Sequence, residues 1–252
     1  MSDLYWLDDL QMARLDPFFP KSHGRPRVDD RRVLSGIIFI NRNGLRWRDV
    51  PKEYGPHKTL YNRWKRWSEK GVFARIMAGL AAEHGEEKTA MIDATYLKAH
   101  RTATSMGVKK GGRGRLIGRT KGGMNTKLHA ICDSRGRPIS FFVTAGQVSD
   151  YIGARALVSS LPDVDWLLGD RGYDTDWFRG ALKDKGIRAC IPGRKQRKTS
   201  IRYDKRRYKR RNRIEIMFGR LKDWRRVATR YDRCPKVFLS AIALAATVIF
   251  WL

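Results

Sequence analysis

The chain has 252 residues, of which 53 are Lys or Arg and 25 are Asp or Glu, for a formal net charge of +28. Its 42% hydrophobic content can bury the core of one large domain, or of a core plus a smaller unit, which excludes wholesale disorder. Such a positive excess calls for a polyanionic partner, nucleic acid before membrane, because no basic amphipathic anchor is joined to a lipidation signal.

The N-terminal MSDLYWLDDL is acidic and has no apolar signal core. Residues 1–85 read as a small helical unit. Pro17 and Pro20 break a first helix, and a second starts at Asp29 and carries Val33, Leu34, Ile37, Ile38 and Ile40. A short helix at Trp47–Val50, a break from Pro51 to Pro56 and a longer helix over 58–70 then give a helix-turn-helix rhythm. Leu60, Trp64 and Trp67 form the apolar stripe of the longer helix. Its Lys58, Arg63 and Arg66 are candidate DNA contacts; the alternative is an ordinary basic helical hairpin.

From Lys88 the pattern changes to strands: 89–99, then 127–133 and 139–145 as a hairpin around SRGRP. Residues 98–127 hold nine Lys or Arg, seven glycines and no acid. Such a loop either grips phosphate, with Arg101, Arg119 and Lys121 as contacts, or is simply a solvated basic loop. A helix over 151–160, a buried strand 165–170, a helix 174–185, a strand 187–192 and a long basic helix 205–226 follow. This element order predicts a ribonuclease-H-like α/β domain, a mixed five-stranded sheet with flanking helices over 86–252, behind an all-α helix-turn-helix-like unit. The apolar run 237–252 is 16 residues, shorter than the ~20 a bilayer needs, and reads as a core helix. Cys132, Cys190 and Cys234 form no CxxC pair, which argues against a disulfide framework or zinc ribbon and fits a reducing compartment.

Asp93 lies on the first strand, in MIDAT, and Asp170 ends the apolar run DWLLGD. A carboxylate at the end of a buried strand is costly unless it is paired or bound to metal. With one helix-borne glutamate the two could hold a pair of magnesium ions; a cap or a salt bridge, for Asp170 with Arg171, explains either alone equally well. In YKRRNRIEIMFGRLK, Tyr208, Arg211, Glu215 and Lys222 stand at offsets 0, 3, 7 and 14, within a helical stripe about 60° wide. Ile214, Phe218 and Leu221 make the adjoining apolar stripe. The alternative is a basic surface helix with one Arg211–Glu215 pair. Among the remaining polar residues, His100, Asp150 and Asp174 have either a site role or a local one, capping for the two aspartates, and His129 reads as structural.

The spacing Tyr208, Arg211, Glu215, Lys222 matches the Y-(2)-R-(3)-E-(6)-K signature, and the chain resembles transposases of the insertion sequence 4 superfamily. MIDATYLKAHR, GRTKGGMNTKLHAICD and LGDRGYD are similar to marks of the insertion sequence 5 family within it. The resemblance runs over nearly the whole chain. It implies Asp93, Asp170 and Glu215 as catalytic and metal-binding residues, with two Mg2+ ions that Mn2+ can replace, and Tyr208, Arg211 and Lys222 as contacts to the element's end. It implies double-stranded DNA as partner, both terminal inverted repeats and target, a homodimer or larger assembly on DNA, no membrane, and a bacterial cytoplasmic, nucleoid-associated location. Only 24 residues separate Ile191 from Glu215, so the large β insertion of many relatives is absent and hairpin handling is not implied. A nuclease of the same fold that cuts without joining, and a non-catalytic basic DNA-binding protein, are the rival readings.

Overall fold

A computed structural model describes residues 3–21, 28–83, 88–105 and 114–252. Four helices lead: α1 (Asp9–Leu15), α2 (Asp30–Asn43), α3 (His57–Glu69) and α4 (Val72–Ala82). Asp29 caps α2 by accepting the Arg31 amide at 2.9 Å, and Gly44 ends it at φ 72°, a left-handed turn that a side chain would strain. Val33, Leu34, Ile37, Ile38 and Ile40 are all buried, as their spacing predicts. The α4 helix is an element the sequence reading does not single out, although Val72, Phe73, Ile76, Met77 and Leu80 form its buried stripe.

The sheet comprises β1 (Thr89–Ala99), β2 (Gly118–Thr120), β3 (Gly123–Asp133), β4 (Pro138–Ala145), β5 (Trp166–Gly169), β6 (Arg188–Cys190) and β7 (Thr229–Arg230). Five positions run β4, β3, β1, β5, β6: the first three strands are antiparallel, and β5 and β6 continue parallel to β1. The short β2 extends the sheet along β3, and β7 along β1. This is the expected mixed five-stranded sheet with two short additions. Residues 106–113 of the glycine-rich basic stretch lie outside the described residues.

The remaining helices are α5 (Arg101–Thr104), α6 (Asp150–Leu157), α7 (Asp176–Asp184), α8 (Lys205–Tyr208), α9 (Asn212–Lys222), α10 (Arg225–Ala228) and α11 (Pro235–Phe250). The single basic helix expected over 205–226 is therefore interrupted. Residues Lys209–Arg211 tighten into a 3-10 turn, and the chain turns again at Asp223 and Trp224.

Alternation along the strands divides the core. Met91, Leu97, Leu128, Ala130 and Leu168 face one cluster with α9, α11 and the N-terminal helices. Ala90, Ile92, Ile131 and Leu167 face a second cluster with α6 and α7. The apolar α11 is buried over most of its circumference and packs on α2, α3, α4, α9 and β4, which is why its sequence has no polar face. No described helix is long and apolar enough to cross a membrane. One hydrophobic cluster runs through both the N-terminal helices and the sheet, so the two regions share a core.

Candidate active site

The parallel pairing of β1 with β5 ends at Ile92 against Gly169, so Asp93, still within β1, and Asp170, just past the end of β5, are neighbours. Asp93 Oδ1 accepts the Ala94 amide at 2.8 Å and Oδ2 accepts Arg211 Nη1 at 2.6 Å. Burial pushes the Asp93 carboxyl up to about 6, with the Asp170 charge adding to the rise and the Ala94 amide and Arg211 opposing it. Asp170 accepts the Gly172 amide at 2.8 Å, capping the 3-10 turn Arg171–Tyr173. No ion pair joins it to Arg171 among the described residues, so the salt-bridge explanation of Asp170 falls away while the capping one holds.

Glu215 comes from α9 and is more than half exposed. The other Arg211 nitrogen, Nη2, donates to its Oε1, so one guanidinium bridges Asp93 and Glu215. Lys222 Nζ donates to Thr95 Oγ1 at 2.7 Å, two residues along β1 from Asp93 and on the same face. The Arg211 guanidinium carbon is 5.8 Å from the centre of the Tyr208 ring. Glu215, Arg211, Lys222 and Tyr208 are thus assembled along one edge of β1, despite the break in the expected helix. The ion pair of the rival reading exists too, but Arg211 reaches past it to a strand aspartate 118 positions away in sequence.

Hard carboxylate oxygens are the donors a divalent ion of the magnesium type takes. The structure offers two further signs of fit. The guanidinium stands as a cation between Asp93 and Glu215. Among the described residues the buried Tyr173 hydroxyl has no hydrogen-bond partner, and the charges of Asp93, Asp150 and Asp170 bear on it. Among the described residues no three acidic, histidine or cysteine side chains are drawn close enough to hold one ion as they stand. On the Glu215 side the intervening guanidinium accounts for that.

The other candidates divide. On α3, His57, Lys58, Tyr61, Asn62, Lys65 and Arg66 are exposed and form one stripe. Arg63 is not on it. It is buried, paired with Asp30 and stacked 5.5 Å from the Trp67 ring centre, which corrects the expectation that it contacts DNA. Its spacing from Leu60 and Trp67, three and four residues, already put it on the apolar stripe. Tyr61 and Asn62 were the exposed residues to single out instead. Arg101, Arg119 and Lys121 are exposed around β2 and the start of α5. His100 caps α5 and its ring lies tilted against that of Tyr231, 4.7 Å between centres. His129 is structural: it pairs with Thr144 at 2.9 Å, burial lowers its pKa to about 4, and a Cβ on Gly153 would come within 2.0 Å of its ring.

Asp174 is a structural clamp rather than a helix cap, which is Thr175. It accepts Arg179 Nε at 2.7 Å, and Arg197 Nε and the Arg194 amide at 2.6 Å each. Burial alone would raise its carboxyl, but the bonds from Arg197, the Arg194 amide and Arg179 outweigh burial and hold it at about 2. Its contribution to stability is therefore complete above the unfolded-chain value near ~4 and is lost as pH falls through about 2. Asp174→Asn removes the carboxylate from Arg179, leaves Arg197 with Asp176 alone, and is expected to cost about 3 kcal/mol. Thermal melting at neutral pH should show a fall of roughly 10 °C; an unchanged midpoint would remove the clamp from the account.

The family model "Transposase DDE domain" matches residues 84–250, and "Putative transposase of IS4/5 family" matches residues 7–77. The chain is similar to the uncharacterized protein y4sN of Sinorhizobium fredii, 36% identical over 110 residues, which covers 42% of this chain and 87% of that protein. It is similar to the "Putative transposase for insertion sequence element IS6501" of Brucella ovis, 35% identical over 130 residues, 51% of this chain and 99% of that protein. Among solved structures it resembles the piggyBac transposase of a synaptic complex with hairpin DNA, with a TM-score of 0.54 over 97% of this chain and 72% of that one. At 8% identity the likeness concerns the fold, which is ribonuclease-H-like.

Proposed function

The chain belongs to the transposase DDE domain family and is a DNA transposase of the insertion-sequence kind, and on that premise we propose that Asp93, Asp170 and Glu215 are its metal-holding acids. DDE transposase domains generally use divalent metal ions. In this reading two Mg2+ ions, or Mn2+ in their place, are held by the three carboxylates. When bound they supply Lewis-acid activation of the attacking oxygen and charge neutralisation at the leaving oxygen. The observation that carries the reading is the meeting beside β1 of Asp93, within the strand, with Asp170 at the end of β5 and with the Arg211–Glu215 pair of the neighbouring helical segment, which Arg211 joins to Asp93.

The residues around the acids do the positioning. A guanidinium that pairs with carboxylates pairs equally well with phosphate, so Arg211 can exchange Asp93 and Glu215 for the DNA backbone. Lys222 lies about 10 Å further along the helix axis from Glu215, a spacing suited to a later phosphate of the same strand. Tyr208 offers its ring to the end nucleotide. The enzyme binds the terminal inverted repeats of its element, cleaves at their ends and joins the exposed 3′-hydroxyls to target DNA by direct attack. It works at the nucleoid, as a homodimer or larger assembly that handles two ends together. A precut, labelled repeat end tests the joining step: strand transfer into plasmid is expected, and cutting of intact ends with no transfer of precut ones would reduce the protein to a nuclease.

Recognition of the repeats falls, in this reading, to residues 1–85, with the exposed stripe of α3 facing the base edges. Asn62→Ala and Arg66→Ala in the full chain should each lower preference for repeat over scrambled DNA by about 10-fold or more, the worth of one bidentate base contact. Arg63→Ala should instead lower the melting temperature and leave preference unchanged in the folded fraction. Competition binding near physiological salt reads both effects; equal preference in all three variants would move recognition away from α3.

A further inference from the structure

Behind β1, on the sheet face turned to α6, lies a charged pair that the three acids do not account for. Lys127 stands opposite Tyr96 in the β1–β3 register, and only 6% of its side chain is exposed. Its Nζ is 4.9 Å from the centre of the Tyr96 ring and donates to the Val148 carbonyl at 2.6 Å and to Asp150 Oδ1 at 2.9 Å. Asp150 opens α6, yet the cap position is Ser149, so capping does not explain it.

The other Asp150 oxygen leads back to the site. A Cβ built on Gly172 would lie 3.5 Å from Asp150 Oδ2 and 2.9 Å from Asp170 Oδ1, so the two carboxylates border one space that a side chain would fill. The buried Tyr173 hydroxyl, which has no partner among the described residues, lies in the field of the same two acids and of Asp93. Leaving a buried hydroxyl unbonded costs about 1–3 kcal/mol, and gathering carboxylates costs more unless a cation joins them. Lys127 meets only one oxygen of one of these acids.

We propose that Asp150 is a fourth acid of the catalytic centre, which shares a divalent cation with Asp170, and that Lys127 competes with that cation for Asp150. The inference rests on the reading of Asp93 and Asp170 as metal-holding acids. It also assigns Gly172 the task of keeping the space between the two carboxylates open.

The test is Mn2+ titration of the full chain, followed by the electron paramagnetic resonance of free Mn2+. Asp150→Asn should weaken binding about tenfold, the scale expected when a group around a metal is lost. Lys127→Met should tighten it several-fold, and that gain should vanish in Lys127→Met/Asp150→Asn, because it acts through Asp150. The double variant leaves neither charge unpaired, so it keeps the comparison open if a single variant is poorly folded. An equal gain from Lys127→Met with Asp150 or Asn at position 150, or wild-type affinity in folded Asp150→Asn, would overturn the proposal. Asp93→Asn and Asp170→Asn in the same titration separate the two levels. If they weaken binding and Asp150→Asn does not, only the fourth acid is lost; if neither weakens it, the metal reading falls and the inference with it.

Discussion

Asp93→Asn, Asp170→Asn and Glu215→Gln should each reduce end cleavage and joining to background, on the order of 10⁴-fold for residues that act as a unit. Each change removes one negative donor without changing side-chain size. Asn at position 93 still offers an oxygen to the Ala94 amide, and Asn at 170 one to the Gly172 amide, so both local bonds survive. DNA affinity should change little, because it comes from Lys and Arg contacts to phosphate, and the chain keeps all 53 of those residues. The measurement is a side-by-side gel assay of binding, cleavage and strand transfer on labelled repeat ends in Mg2+ and in Mn2+. Near-normal cleavage by any one variant takes that residue out of the set. Vigorous turnover by the wild type in metal-free buffer would end the metal mechanism altogether.

Replacing Arg211 or Lys222 by Ala should slow end cleavage or joining by about 10²-fold while leaving binding of the repeat by the N-terminal region largely intact. The structure places both residues against β1. Arg211 lies against Asp93, and Lys222 against Thr95 one strand repeat further on, so both line β1 beside the proposed metal-holding acids. Lys195 is an exposed cation outside that row and serves as the comparison. Arg211→Lys should not restore the rate, because an ammonium cannot reproduce a planar fork that spans two oxygens. Rates are to be compared at saturating protein, where differences in general affinity drop out. Similar rates for Arg211→Ala, Lys222→Ala and Lys195→Ala would make the first two ordinary surface charge.

Much of this protein was readable before any fold was known, for identifiable reasons. Strand and helix periods are local, so α2, α3, the β3–β4 hairpin and α11 followed from the spacing of apolar residues alone. The same period set Tyr208, Arg211, Glu215 and Lys222 on one stripe, and the geometry tolerates the 3-10 turn at Lys209–Arg211 that interrupts their helix. For Arg63 the signal against DNA contact is in the sequence: a residue about one turn from both Leu60 and Trp67 flanks their apolar stripe on the helix wheel and belongs to the buried side, whatever its charge.

Charge excess, the two strand-borne aspartates and the basic stripe around Glu215 were determined by the sequence itself, because composition and periodicity need no partner. Which groups meet across long separations was decided only by the tertiary structure. Nothing local tells Arg211 to reach Asp93, Lys222 to reach Thr95, or Lys127 to lie beneath Asp150. Those meetings follow from the parallel register of β1 and β5 and from the packing of α6 and α9 on opposite faces of the sheet. Asp174 makes the same point: it reads as a helix cap in sequence and becomes a clamp on two arginine side chains and a backbone amide once β6 and the chain after it return to its side. The physical reason is common to all of them. A charged group inside a fold takes the nearest complementary polar group in space, and the sheet, not the chain order, decides which one that is.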